Sequence, residues 1–313
     1  MATEQNAQAR ANSNGDPLEK DFSNGHGYTN GGGAYHLNDL NMDNDTALKR
    51  IRTAGSISIS PELFEKIYLS PQNVVKGDLR KTFGNPTPVA LLGFLLSLSP
   101  LSCDLMGWRG SGGNGAAGTG TYFFFGGLLM LLGGFLEFIL GNTFPFVVFT
   151  SFGAFWLSFA STLQPFYYAY GNYAPAGQPE SAGLTTVGFT ASFGFFLLFM
   201  GVLCFIYLIC SLRTNVAFVI IFFTLVCAFG LLAGAYWQNA NAIGNGDASA
   251  ARLAGRLQIA AGAFAFVTCM AGWWIFFAIM LAALDFPFQI PVGDLSTLIK
   301  GASERQKAKE HDV

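Results

Sequence analysis

VAFVIIFFTLVCAFGLLAGAY, residues Val216–Tyr236, carries no charge along its whole length. A hydrocarbon core of ~30 Å needs about 20 apolar residues at helical rise, and this stretch supplies them. Five more runs share the property: Pro88–Trp108, Tyr122–Leu140, Phe144–Leu163, Thr185–Ile209 and Ile259–Leu284. In lipid only helices and closed barrels satisfy their backbone polar groups, and unbroken runs of this length are helical. The reading is an all-α, polytopic membrane protein: a six-transmembrane-helix bundle over 88–284. A polar tail (1–54) and a juxtamembrane segment (55–87) precede it, and a tail at 285–313 follows.

Composition agrees. Charged residues are 12% of the chain, against about 25% in a soluble domain. The net charge of −2 says little, because the charges are segregated. Of 19 acidic residues only Asp104, Glu137 and Asp285 fall in or beside the apolar runs. No basic stripe suggests nucleic acid. The cysteines, Cys103, Cys204, Cys210, Cys227 and Cys269, all lie within or at the ends of spans and lack CxxC spacing, so they read as small buried apolar residues. Neither HExxH nor GxSxG occurs, and the histidines, at 26, 36 and 311, are confined to the tails. Enzymatic chemistry is not expected, and no cofactor or metal is implied.

The first 54 residues are rich in Gly, Asn and Asp and open with no apolar signal-peptide core, so they read as a disordered tail. A sequon starts at Asn44, and Lys49-Arg50-Ile51-Arg52-Thr53 forms a small basic cluster suited to solvent, anionic lipid or a basophilic kinase. Residues 60–69 can form a short amphipathic helix at the membrane surface, or a docking element. Six spans place both termini on one side. Lys76, Arg80, Lys81, Arg213 and Lys300 stand there, against Arg109, Arg252 and Arg256 opposite, which favours cytosolic termini. The inner connections, 141–143 and 211–215, are short; the outer ones, 109–121, 164–184 and 237–258, are read as longer loops. Trp108, Tyr122, Tyr167, Tyr168, Tyr236 and Trp237 mark an outer aromatic belt.

Small residues recur at packing spacings: Gly126-Gly127 with Gly133-Gly134, Gly230 with Gly234, and Gly255 with Gly262. Intramembrane polar residues are costly and mark function or structure. Glu137 has two readings: a carboxylate bonding the tight 141–143 turn, or one that titrates or orients a pathway. The run Gly84-Asn85-Pro86-Thr87-Pro88 gives span one an N-cap, Asn85, and prolines in its first turn. Free N–H groups at such a helix end attract anions. Thr150-Ser151-Phe152-Gly153-Ala154-Phe155-Trp156 offers hydroxyls and rings that can line a pathway with a hydrophobic constriction, and Ser192-Phe193-Gly194-Phe195-Phe196 echoes it faintly on span four.

Three of these segments together resemble a known family. Asn85-Pro86-Thr87-Pro88 with Gly93-Phe94 is similar to the NPxP signature of the acetate uptake transporters of fungi and bacteria. Glu137 followed by Gly141-Asn142-Thr143-Phe144 resembles their E-x3-GNTF segment, and Thr150–Leu157 their T-S-Y-G-x-F-W-L segment. The resemblance spans roughly residues 83–285 and, with the long polar tail, points to a fungal member. It implies transport of acetate or another small monocarboxylate with protons across the plasma membrane, in a homo-oligomer that is hexameric in bacterial relatives. Its pathway residues would be Asn85, Pro86, Pro88, Phe94, Glu137, Asn142, Thr143, Thr150, Ser151, Phe152, Phe155 and Trp156. The family constriction pairs a Phe on span one with a Tyr on span three. Here Phe94 matches the first position and Phe152 occupies the second, so one hydroxyl is missing, the mark of a diverged branch. Ammonium or ammonia export, and a non-transporting sensor or scaffold, are the alternatives.

Overall fold

The computed structural model describes residues 35–37, 57–59, 83–295 and 299. Most of the polar tail, the basic cluster, the 60–69 segment, Lys76, Arg80, Lys81 and Lys300 lie outside the described residues. Two short strands, β1 (Tyr35–Leu37) and β2 (Ile57–Ile59), pair in parallel. The first falls in the stretch read as a structureless tail.

Six helices are long and apolar enough to cross a membrane: α1 (Thr87–Leu105), α2 (Gly113–Ile139), α3 (Thr143–Thr162), α4 (Val187–Ser211), α5 (Val216–Asn245) and α6 (Ala248–Ala283). The six-span expectation therefore holds. We call the side where α1 begins and α6 ends the terminal face, and the opposite side the far face. Helix α5 packs along α4 and α6, while α1, α2 and α3 pack on one another, and α1 also lies on α6. The middle of α2, Tyr122–Leu129, winds as a π-helix.

Gly133 and Gly134 show why small residues were needed. A Cβ on Gly133 would lie 2.7 Å from the Cβ of Ala90 on α1, and one on Gly134 would lie 2.7 Å from Cγ2 of Thr150 on α3. Side chains larger than hydrogen would push α2 off both neighbours. Gly230, read from sequence as half of a packing pair, differs: nothing lies within 4 Å of its missing Cβ.

Two expectations about the far face are corrected. Residues 237–258 are not a loop. Helix α5 runs for 30 residues and α6 for 36, or about 45 and 54 Å at helical rise, beyond the hydrocarbon thickness. Hydropathy ends near Tyr236, but the following sequence is rich in Ala, a strong helix former. The turn is only Gly246-Asp247. Gly246 takes the left-handed conformation, at φ 65°, and Asp247 accepts the N–H of Ser249 at 2.7 Å to cap α6. Hydrogen bonds from the Ser249 and Ala250 backbone hold the Asp247 carboxyl below its usual range. The second correction concerns the aromatic belt. Tyr122 is fully buried and donates its hydroxyl to the Gly115 carbonyl at 2.8 Å, whereas Trp108, Tyr167 and Tyr168 are exposed.

At the terminal face, residues after α6 fold back. Val216 donates its N–H to Gly293 at 2.7 Å and Leu295 donates to Thr214 at 3.0 Å, while Trp274 Nε1 donates to the Pro291 carbonyl at 2.8 Å. Within the bundle, the hydroxyls of Thr224 on α5 and Thr268 on α6 meet at 2.7 Å, both buried. Thr224→Val is expected to cost about 0.6 kcal/mol, the mean for such interhelical bonds in a membrane. A small drop in the unfolding midpoint of the detergent-solubilised protein would show it.

Candidate functional site

The start of α1 is built differently from its sequence expectation. Pro86, not Asn85, is the N-cap. The Asn85 side chain still serves this end, accepting the Thr87 N–H at 2.9 Å. Pro88 has no N–H, and Val89 and Ala90 both donate to the Pro86 carbonyl, at 3.1 and 3.4 Å. None of the donors of this first turn is spare, so the anion-attracting reading of this helix end loses its basis. Asn85→Ala is expected to cost about 1 kcal/mol, as for other caps. Thermal unfolding and uptake at matched surface level check this, and a selective loss of uptake would assign the amide a role in the pathway.

What the prolines position is Thr87. Its hydroxyl donates to Oε1 of Glu137, and Asn142 Nδ2 donates to Oε2 at 2.6 Å. The Asn142 N–H also donates to the Glu137 carbonyl at 2.9 Å. Gly141, with φ 79°, makes the sharp reversal that returns Asn142 to the carboxylate. Glu137 is 1% exposed. Each carboxylate oxygen thus has a hydrogen-bonding partner. A single side chain therefore ties the start of α1, the end of α2 and the start of α3 together. This is the arrangement that the structural reading of Glu137 expects.

Beside this clamp, a small depression opens at the terminal face. Its walls are Phe144, Pro145, Val148, Phe149, Phe218 and Phe222, and Thr87 is the one polar residue among them. Deeper in, rings close the bundle. Phe94 and Phe152 meet edge-on with centroids 6.4 Å apart. Tyr207 of α4 stands 6.4 Å from Phe152, 6.0 Å from Phe144 and 5.5 Å from Phe222. Beyond them Phe155 stacks on Phe196 at 5.8 Å and meets Phe229 edge-on at 5.4 Å. The result is an aromatic column leading from the depression towards the far face.

Of the residues singled out from sequence, Phe94, Ser151, Phe152 and Phe155 gather at this column, while Asn85, Pro86, Pro88, Glu137 and Asn142 gather at the clamp. Three stand apart. Thr143 is exposed at the start of α3. Thr150 donates to the Phe146 carbonyl at 2.7 Å and packs on Gly134. Trp156 turns to α2, stacked on Tyr122 with centroids 5.1 Å apart, and among the described residues its Nε1 is the buried side-chain nitrogen without a hydrogen-bond partner. Sequence reasoning missed Thr87 and Tyr207 as site residues. Thr87 is the variable position of NPxP; Tyr207 was visible as the one phenol in the apolar run of span four.

A profile of the GPR1/FUN34/yaaH family matches residues 69–297. The chain belongs to that family. Among its relatives is Protein alcS of Aspergillus fumigatus, 44% identical over 265 residues, covering 83% of this chain and 94% of that one. Acetate permease A of Emericella nidulans is 31% identical over 233 residues, 74% of each chain. Among solved structures, one titled as the bacterial acetate channel SatP superposes with a TM-score of 0.46 at 24% identity, covering 67% of this chain and 99% of that chain.

Proposed function

We propose that this family member moves acetate or another small monocarboxylate, together with protons, across the plasma membrane, with both termini in the cytosol. The observation that carries the reading is the Phe94–Phe152 constriction set above an apolar depression whose polar residue is Thr87. Such a passage suits a solute with a short apolar tail and a small polar head. The relative named as an acetate permease supports the same substrate class. A homo-oligomer is part of the proposal, hexameric as in the bacterial relatives of the resemblance. Large apolar side chains on the outer face of α2, including Phe124, Leu128, Leu132 and Phe135, are exposed and suit either lipid or a neighbouring subunit.

Labelled acetate uptake in cells lacking other acetate carriers tests the proposal. Expression of the chain is expected to raise saturable uptake at acidic pH. Ammonium release without acetate uptake would favour export of ammonium or ammonia, and movement of neither solute would favour a sensor or scaffold.

A further inference from the structure

The aromatic column contains one polar contact. Ser151 Oγ and Tyr207 Oη lie 3.0 Å apart, bridging α3 and α4 one residue from the Phe152 ring. Ser151 Oγ also lies 2.9 Å from the Val148 carbonyl, to which it donates. Serine has a single hydroxyl hydrogen. Ser151 Oγ has both the Val148 carbonyl and the phenol oxygen within reach, and when its hydrogen points to Val148 the contact between the two side chains is donated by Tyr207. The phenol's own hydrogen is then committed as well, and its oxygen is left as an acceptor. Tyr207 is only 5% exposed, so water does not compensate for a solute that cannot use this point. Around it stand Phe144 and Phe152 of α3 and Phe222 of α5, none of them charged, and the titratable neighbours on its own helix are the thiols of Cys204 and Cys210.

A carboxylate anion brings only acceptors to this point. A neutral carboxylic acid brings an O–H donor, which matches the phenol oxygen. We propose that the Ser151–Tyr207 pair is the polar selectivity point of the constriction, and that it admits the substrate as the neutral acid, accepting its O–H. The proton then crosses on the substrate, and no protein carboxylate needs to relay it. This rests on the transport reading above and adds the species transported.

The test uses the full chain in liposomes, with two probes: labelled acetate over a range of pH, and acetamide, which matches acetic acid in size, donates a hydrogen bond and stays uncharged. For the native chain, acetate flux is expected to fall about tenfold per pH unit above the acid's pKa. Acetamide flux should be independent of pH and compete with acetate. Tyr207→Phe removes the acceptor and should lower both fluxes by roughly threefold to tenfold, the effect of one hydrogen bond, without altering the slope of the pH profile. Ser151→Ala acts differently, because it releases the phenol hydrogen. It should flatten the pH profile by admitting the anion, which a role confined to packing would not do. Acetate flux that persists undiminished at high pH while acetamide is excluded would overturn the proposal. So would Tyr207→Phe with native fluxes for both probes. If the native chain moves neither probe faster than protein-free liposomes, the transport reading itself fails and this inference falls with it. If acetate moves but these signatures are missing, only the inference fails.

Discussion

Glu137→Ala is expected to remove most of the folded protein from the membrane. The substitution removes the carboxylate that accepts from the buried Thr87 hydroxyl and Asn142 amide. Losing a buried acceptor costs about 1–3 kcal/mol for each donor, so together up to roughly 6 kcal/mol, against ~5–15 kcal/mol for a typical fold. Glu137→Gln should lose much less. Its carbonyl can accept from the Asn142 amide while its NH2 group donates to the Thr87 hydroxyl, which accepts as well as donates. Because the clamp holds structure, the pH profile of uptake should be unchanged in Glu137→Gln at matched surface expression. Fluorescence-detected size exclusion gives the folded fraction, and uptake over a pH range gives the profile. A flattened profile in well-folded protein would make Glu137 a proton-exchanging group and contradict the clamp.

Phe94→Ala should change which acids pass. The ring meets Phe152 edge-on and is 6% exposed, so its removal opens space at the proposed constriction. In an apolar site each methylene is worth about 1–3 kcal/mol of discrimination, or 10–200-fold. The flux of butyrate relative to acetate should therefore rise on the order of tenfold. Loss of a buried ring also costs about 3–5 kcal/mol of stability, so fluxes must be compared per folded molecule. A panel from formate to butyrate reads the effect. Unchanged size selectivity would place the constriction elsewhere.

The spans were legible because lipid makes hydropathy nearly decisive. The first five runs lie within a few residues of α1 to α5 at most of their ends. The outer part of the α5–α6 hairpin was not legible by that signal. Its sequence, Ala248-Ser249-Ala250-Ala251-Arg252, is helical through backbone propensity, to which hydropathy is blind. Gly133-Gly134 could be read as a packing site. In the identical reading of Gly230 with Gly234, Gly230 meets nothing within 4 Å and Gly234 only Leu257 Cδ1 at 3.5 Å, because spacing alone does not say which helix face turns inward. At the site, the motifs themselves were visible. Their meeting was not: Thr87 and Glu137 are separated by 50 positions, and nothing local requires their contact. Tyr207 is 56 positions from Ser151 and was hidden for the same reason. Sequence marks residues that are unusual for a membrane, whereas the pairing of those residues is a property of tertiary packing.

The central claim, passage of a small monocarboxylate through the Phe94–Phe152 constriction, is tested most directly by counterflow in liposomes containing the purified chain. Vesicles preloaded with unlabelled acetate should transiently accumulate labelled acetate. The Phe94→Ala protein should do so for butyrate as well, while the native chain does so weakly. Absence of acetate counterflow in folded native protein, or equal butyrate counterflow in the native and Phe94→Ala proteins, would contradict the account.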